Sequence, residues 1–285
     1  PPCWLNITGY DIAFMSLLKS SAVTPNLGVE LHNHKPLVDF SDEELAQIQQ
    51  LAADKCVVVV RNVIMSMLQQ AEFARRLGDP LIKPNNPDNI PKELIQIKAD
   101  KNSKYAAGEL WHSDVSSDSR PPGLSMLRME ITPDSGGDTV FANMYQAFDS
   151  LSVLMRTFLQ KLRALHVPKA HYLYTSGIKK IHELESSLHP VVRLHPLNRR
   201  KALFVNAGFV EKIEGLTALE SKALLQMIYN HIAYSVNHQC RIRWEPNTVV
   251  FWDNRCVQHF ASFDYFPAMR LGYRSTIRGE TPIPA

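Results

Sequence analysis

The chain has 285 residues, 45% hydrophobic and 21% charged, an ordinary globular composition that excludes intrinsic disorder. Its 31 Lys and Arg against 28 Asp and Glu leave a net charge of +3, too mild to argue for nucleic acid from bulk electrostatics. No apolar run approaches the roughly 18 residues of a membrane span. Cys3, Cys56, Cys240 and Cys256 form no C-x-x-C pair, so zinc-ribbon and disulfide-framework readings fail and reduced thiols are expected. Residues 3–22 mix apolar positions with Asn6, Thr8, Asp11 and Lys19. They do not read as a secretory leader, so a cytoplasmic protein is expected, with Pro1 suggesting a trimmed start.

No repeat or Gly/Ser linker divides the sequence, and residues 1–285 are expected to form one domain. The spacing predicts a helix over 41–53, with Ser41 as N-cap and Leu45, Ile48 and Leu51 as its apolar stripe. A β-branched run at 56–60 predicts a buried strand. A second helix over 67–77 stops at Gly78 and Pro80. Strands are expected at 94–97, 126–131 and 139–142, the last two separated by a Pro-Asp-Ser-Gly-Gly turn. Residues 145–165 read as largely helical. Residues 191–194 and 202–205 flank a basic turn and read as a hairpin. A long helix at 217–236 opens with Thr217 and Glu220 as a capping box. Strands at 241–244, 248–252 and 270–277 complete the chain. This order lacks the β-α-β alternation of a dinucleotide fold, and no Gly-rich phosphate loop is present. A mainly β sandwich core with helical decoration fits better.

The most informative residues are Trp111, His112, Ser113 and Asp114. Residues two apart on an extended segment point the same way, so an imidazole and a carboxylate can meet one metal ion. His259 is the best candidate for a third ligand. Two His and one carboxylate with the other positions open are the facial triad of non-haem Fe(II) oxygenases. H-x-D alone also suits a capped loop with a satisfied His. Arg270 and Arg274 add weight: four apart on a strand, they share a face. Two guanidiniums there make an anion site suited to carboxylate or sulfonate, unless each simply pairs with a surface acid.

The sequence resembles the taurine dioxygenase-like (TauD/TfdA) family of Fe(II)/2-oxoglutarate-dependent dioxygenases. The matches run through WHSDV at 111–115, GGDT at 136–139, HPVVR at 189–193, ALFVN at 202–206, RWEPN at 243–247 and WDNR at 252–255, with His259 beyond. The resemblance implies a double-stranded β-helix (jelly-roll) core. It implies Fe(II) held by His112, Asp114 and His259, with 2-oxoglutarate and O2 as cosubstrates. The far carboxylate of 2-oxoglutarate falls to Thr139 and Arg270. The anionic end of the prime substrate falls to Arg274, to Lys83 where the family has His, and to the Val115 backbone N–H. Phe209 and Tyr172 are implied pocket walls, Tyr172 standing where taurine dioxygenase has Phe, and Trp252 is implied to lie near the metal. Gly108, Asn86 and Ser117 stand where taurine dioxygenase carries Asn, Tyr and an aromatic residue, and the segment after Tyr172 looks shorter. The implied substrate is therefore a small anion other than taurine: a sulfonate, sulfate ester, aryloxyalkanoate, or amino or other carboxylic acid. The implied reaction converts 2-oxoglutarate to succinate and CO2 while oxidising a substrate C–H bond, with hydroxylation beside a heteroatom leading to cleavage. Desaturation or cyclisation is the alternative outcome. A metal-dependent hydrolase and a non-catalytic binding protein are the rival classes. No nucleic-acid or membrane partner is expected, and relatives' behaviour points to a homo-oligomer, dimer or tetramer.

Overall fold

The computed structural model describes residues 18–32, 35–83, 85–104, 108–169 and 184–285. Its largest element is a seven-stranded sheet. In spatial order it contains β1 (Ser20–Ala22), β2 (Val29–Leu31), β3 (Val57–Val60), β13 (Val249–Asp253), β5 (Pro122–Ile131), β15 (Arg270–Arg278) and β4 (Ile95–Ala99). A three-stranded sheet holds β12 (Gln239–Ile242), β6 (Thr139–Asn143) and β14 (Val257–Ala261). Two smaller sheets join β11 (Val210–Ile213), β7 (Arg163–His166) and β8 (Ser187–Pro190), and β10 (Lys201–Leu203), β9 (Val192–Leu194) and β16 (Ile283–Pro284). Pairing is antiparallel throughout except between β2 and β3. The chain is mainly β, with the jelly-roll core implied by its sequence.

The large sheet is buried on both faces, which explains why its central strands read as unbroken apolar runs. Alternate residues serve different cores. Val57 and Val59 of β3, Val250 and Trp252 of β13, and Leu127 and Met129 of β5 join a cluster with Phe141 and Val257 of the β12-β6-β14 sheet. Val58, Val60, Val249, Phe251, Leu124 and Met126 join the opposite cluster, with Leu45, Ile48 and Phe73. Those last three come from α1 (Asp42–Lys55) and α2 (Met67–Leu77), which cover the outer face.

Both helices begin with full capping boxes, Ser41 with Glu44 and Ser66 with Gln69. A third capping box, Thr217 with Glu220, opens α5 (Ala218–Tyr234). The expected strand at 56–60 loses its first residue: Cys56 caps α1 with φ 70° and turns the chain into β3. The helical expectation for 145–165 is corrected. This stretch holds two short helices, α3 (Met144–Asp149) and α4 (Val153–Leu159), and then β7. Ser152 recaps the chain at α4, and Arg163–His166 finds hydrogen-bond partners on both sides. Among the described residues no helix is long and apolar enough to cross a membrane.

Phe251 is fully buried on the helix-facing side of the central strand, against Phe73 at 6.1 Å between ring centroids. Phe251→Ala is expected to cost about 3–5 kcal/mol of unfolding free energy, read as a lower midpoint in urea denaturation.

Candidate metal centre

The centre is built where one residue extends the small sheet. His112 forms an isolated antiparallel bridge with His259 on β14. Each N–H donates to the other's carbonyl, at 3.2 and 2.9 Å. Directly opposed antiparallel residues place their side chains on one face, and the two imidazole centroids lie 4.1 Å apart. Asp114 follows two residues on, and Val115 then turns the chain away with φ 38°, a sparsely populated conformation for a β-branched residue. Asp114 Oδ1 lies 4.0 Å from His112 Nε2 and 3.9 Å from His259 Nε2. These three donor atoms all fall within 4.8 Å of one another.

Protonation favours ligation. His112 Nδ1 faces the Leu110 carbonyl at 2.6 Å. A carbonyl only accepts, so the proton sits on Nδ1 and the Nε2 lone pair is left for a metal. Burial pushes the pKa of both imidazoles down, His259 further because His112 sits beside it. Burial pushes the Asp114 carboxyl up, but Arg274 and the two imidazoles outweigh it and hold it below the usual carboxylate range. Neutral imidazoles and an ionised carboxylate are the forms that bind metal. Arg274 Nη1 donates to Asp114 Oδ1 at 2.7 Å. A carboxylate oxygen has two lone pairs, so this atom can serve Arg274 and a metal together.

A further group of buried donors lies along β6 and β15. Thr139 and Arg270 are both buried, and both touch Trp244. Trp244 Nε1 donates to Thr139 Oγ1 at 3.0 Å, and the Arg270 guanidinium stands 5.7 Å from the Trp244 ring centroid. The Thr139 hydroxyl already accepts there and keeps its own proton for another acceptor. Arg270 Nε is buried with no hydrogen-bond partner among the described residues. A buried guanidinium with donors to spare beside a hydroxyl donor fits a carboxylate.

Lys83 lies outside the β15 ladder: Pro80 bridges Ile277 and Leu81 N–H donates to the Thr276 carbonyl, but Arg274 pairs with Ile95 and Leu127, and Lys83 N–H donates to the Lys92 carbonyl. Lys83 is half-buried and close enough to Arg274 to feel its charge. Burial, then the Arg274 charge, pull the Lys83 pKa down to about 8, with Asp118 opposing. Phe209 is buried directly after Gly208, whose backbone packs on His112. The Trp252 ring lies 5.1 Å from the His259 ring. Tyr172 falls outside the described residues. Trp244, Ser125 and Asn254 touch these groups without having been singled out by sequence. Ser125 Oγ donates to Asp114 Oδ2 at 2.9 Å, and Asn254 Oδ1 accepts the Asp114 N–H at 3.2 Å.

A second cluster, His195, Asp253 and Cys256, is chemically different. Arg255 donates to both Asp253 oxygens at 2.7 and 2.6 Å, and His195 Nε2 donates at 3.0 Å. Burial pushes the Cys256 thiol pKa up. Its carboxylate is already neutralised by an internal cation, so it reads as structural.

A jelly-roll core that brings two His and one carboxylate together is an arrangement shared with the 2-oxoglutarate-dependent oxygenase class. Residues 19–276 match the "Taurine catabolism dioxygenase TauD, TfdA family". The chain is 35% identical to an alpha-ketoglutarate-dependent sulfonate dioxygenase of Saccharomyces cerevisiae, over 93% of this chain and 68% of that protein. It is 30% identical to an alpha-ketoglutarate-dependent sulfate ester dioxygenase of Pseudomonas putida, over 92% of this chain and 89% of that one. Its fold superposes on a taurine dioxygenase from Burkholderia xenovorans with TM-score 0.81 and 30% identity, covering 94% of this chain and 93% of that one. The chain belongs to the TauD/TfdA family of 2-oxoglutarate-dependent dioxygenases, and is an oxidoreductase.

A Cβ on Gly208 would stand 2.8 Å from the His112 Cβ. Gly208→Ala is expected to displace the imidazole and weaken divalent-metal binding by about tenfold or more, measured by calorimetric titration with Mn(II).

Proposed function

We propose that His112, Asp114 and His259 hold Fe(II), that Thr139 and Arg270 grip the far carboxylate of 2-oxoglutarate, and that Arg274, Lys83 and the Val115 N–H hold the anionic end of a small sulfonate or sulfate ester. The observation that carries this reading is the pair of guanidiniums on β15. Four residues apart, Arg270 and Arg274 share a strand face about 13 Å long. One contacts the candidate metal carboxylate, and the other lies with Thr139 on Trp244. A dicarboxylate and a second anion would therefore approach one metal from two sides. The names of the yeast and Pseudomonas relatives support the sulfonate and sulfate ester classes.

Fe(II) held by His112, Asp114 and His259 would supply oxygen chemistry in which O2 is spent on 2-oxoglutarate and substrate together, one oxygen atom going to succinate as CO2 leaves and the other to the substrate C–H bond. The residues of this chain position the reactants. Arg270 can donate twice in one plane to a carboxylate, and Thr139 adds a third donor. The flat Trp244 face supports the guanidinium, a cation–π contact that costs Arg270 none of its N–H donors. Lys83 adds a point charge beside Arg274 with no directional demand, which suits tetrahedral sulfur oxyanions. Phe209 and Trp252 keep water from the carbon to be oxidised. If that carbon bears the heteroatom, the hydroxylated product fragments.

Anaerobic addition of Fe(II) and 2-oxoglutarate should produce a visible metal-to-ligand charge-transfer band. His112→Ala is expected to abolish it. Arg270→Ala should raise the 2-oxoglutarate concentration for half-saturation by about 100-fold, since truncating one partner of a buried charge pair costs about 2–5 kcal/mol. A band of full strength at unchanged 2-oxoglutarate in both variants would refute the assignment.

Lys83 gives a pH dependence of defined sign. Its protonated form attracts the anion, and burial with Arg274 lowers its pKa to about 8. The KM for an anionic substrate should rise between pH 7 and 9. Lys83→Met should have a higher KM that lacks this inflection, measured by succinate release.

A further inference from the structure

Asn254 lies in the turn between β13 and β14, and its side chain is fully committed. An Asn amide offers two lone pairs and two N–H donors. Asn254 Oδ1 accepts from the Asp114 N–H at 3.2 Å and from Trp252 Nε1 at 3.1 Å. Its Nδ2 donates to the Gly123 carbonyl at 3.2 Å and to Ser125 Oγ at 2.9 Å. Two N–H donors on one side leave only one orientation for the amide. Ser125 then receives an N–H on its oxygen, and its own proton goes to Asp114 Oδ2 at 2.9 Å. Asp114, Asn254 and Ser125 thus close a ring of hydrogen bonds that leaves the Asp114 backbone N–H and returns to its own carboxylate. All three residues are buried, Ser125 completely. The strands fix the ring's corners, because Ser125 on β5 pairs with Trp252 on β13.

We infer that Asn254 and Ser125 are positioning residues for the candidate metal centre, fixing the rotation of the Asp114 carboxylate so that Oδ2 turns toward Ser125 and Oδ1 is the oxygen beside the two Nε2 atoms. The inference rests on the metal assignment proposed above. A carboxylate free to rotate can present either oxygen, or both, to a metal. Here the Asn254 donor aims the Ser125 proton, the Ser125 proton holds Oδ2, and Oδ1 lies near both Nε2 atoms. A single-oxygen contact occupies one coordination position, leaving three for other ligands around a six-coordinate ion. The same amide holds the Trp252 indole N–H, so one side chain fixes both the carboxylate ligand and the ring packed against His259. Outer partners of metal ligands contribute to affinity on the order of 10–100-fold.

The test is Mn(II) binding to the full chain, with free Mn(II) counted by electron paramagnetic resonance and the thermal midpoint followed in parallel. Ser125→Ala should weaken Mn(II) affinity by roughly 10–100-fold while remaining folded at the titration temperature, with a thermal midpoint lowered by the buried groups it leaves unpaired. Ser125→Thr, which keeps the hydroxyl, should restore most of it. Asn254→Asp turns the donor facing Ser125 into an acceptor, draws the Ser125 proton away from Asp114, and should cause a comparable loss. This keeps the inference testable if Ser125→Ala folds poorly. Thr276→Val removes a hydroxyl 3.4 Å from Ser125 that is not a member of the ring and should leave affinity unchanged. Equal Mn(II) affinity in wild type and folded Ser125→Ala, or an equal loss in Thr276→Val, overturns the positioning role. Failure of the wild-type chain to bind Mn(II) overturns the metal assignment itself, a result distinct from either.

Discussion

An ionised carboxylate withdrawn from water costs several kcal/mol unless cations and donors face it, and Asp114 is 4% exposed. The surrounding architecture answers that demand. Arg274 arrives from β15, Ser125 from β5, and Asn254 from the turn after β13, so three neighbouring strands of the large sheet each supply a partner. The imidazoles arrive from the opposing side, aligned by the bridge between His112 and His259. A metal ion placed there would join a site already arranged for negative charge.

The proposed cosubstrate and substrate sides are built differently. Thr139 stands on β6 of the small sheet and Arg270 on β15 of the large one, and Trp244 spans the two, donating its indole N–H to Thr139 while its ring faces the Arg270 guanidinium. Lys83 and Val115 belong to irregular segments that follow strand register only in part. Rigid strands suit a cosubstrate whose shape does not change between reactions. Loops can alter with the substrate while the strands keep their geometry.

Elements governed by local chemistry were legible in the sequence. Ser41, Thr217 and Glu220 announce their helices because capping is settled within four residues. The H-x-D spacing and the Arg270 and Arg274 pair are likewise local patterns. His259 is a candidate third ligand and a β sandwich the expected core on residue pattern alone, and the ordered motifs add the jelly-roll form of that core. The short strands at 163–166, 187–190 and 210–213 were missed, because such strands depend on partners distant in sequence. Residues 163–166 could equally continue a helix until that pairing is known. Ser125, Asn254 and Trp244 carry no distinguishing pattern of their own. Asn254 and Trp244 lie inside quoted motifs, yet their roles depend on contacts across 140 and 105 residues.

The bridge between His112 and His259 also bears on how the protein comes to be folded. These residues lie about 150 positions apart, and bringing such distant segments together costs loop-closure entropy before any contact rewards it. The half-site at His112 and Asp114 leaves the ribosome long before β14 exists. A metal ion held by that half-site alone would lack its third ligand and its closed walls, so the ion cannot serve as the seed around which the chain condenses. An ion bound by the completed site would stabilise the native state by mass action in proportion to its free concentration, and its identity would then be decided by the metals available to the folded chain.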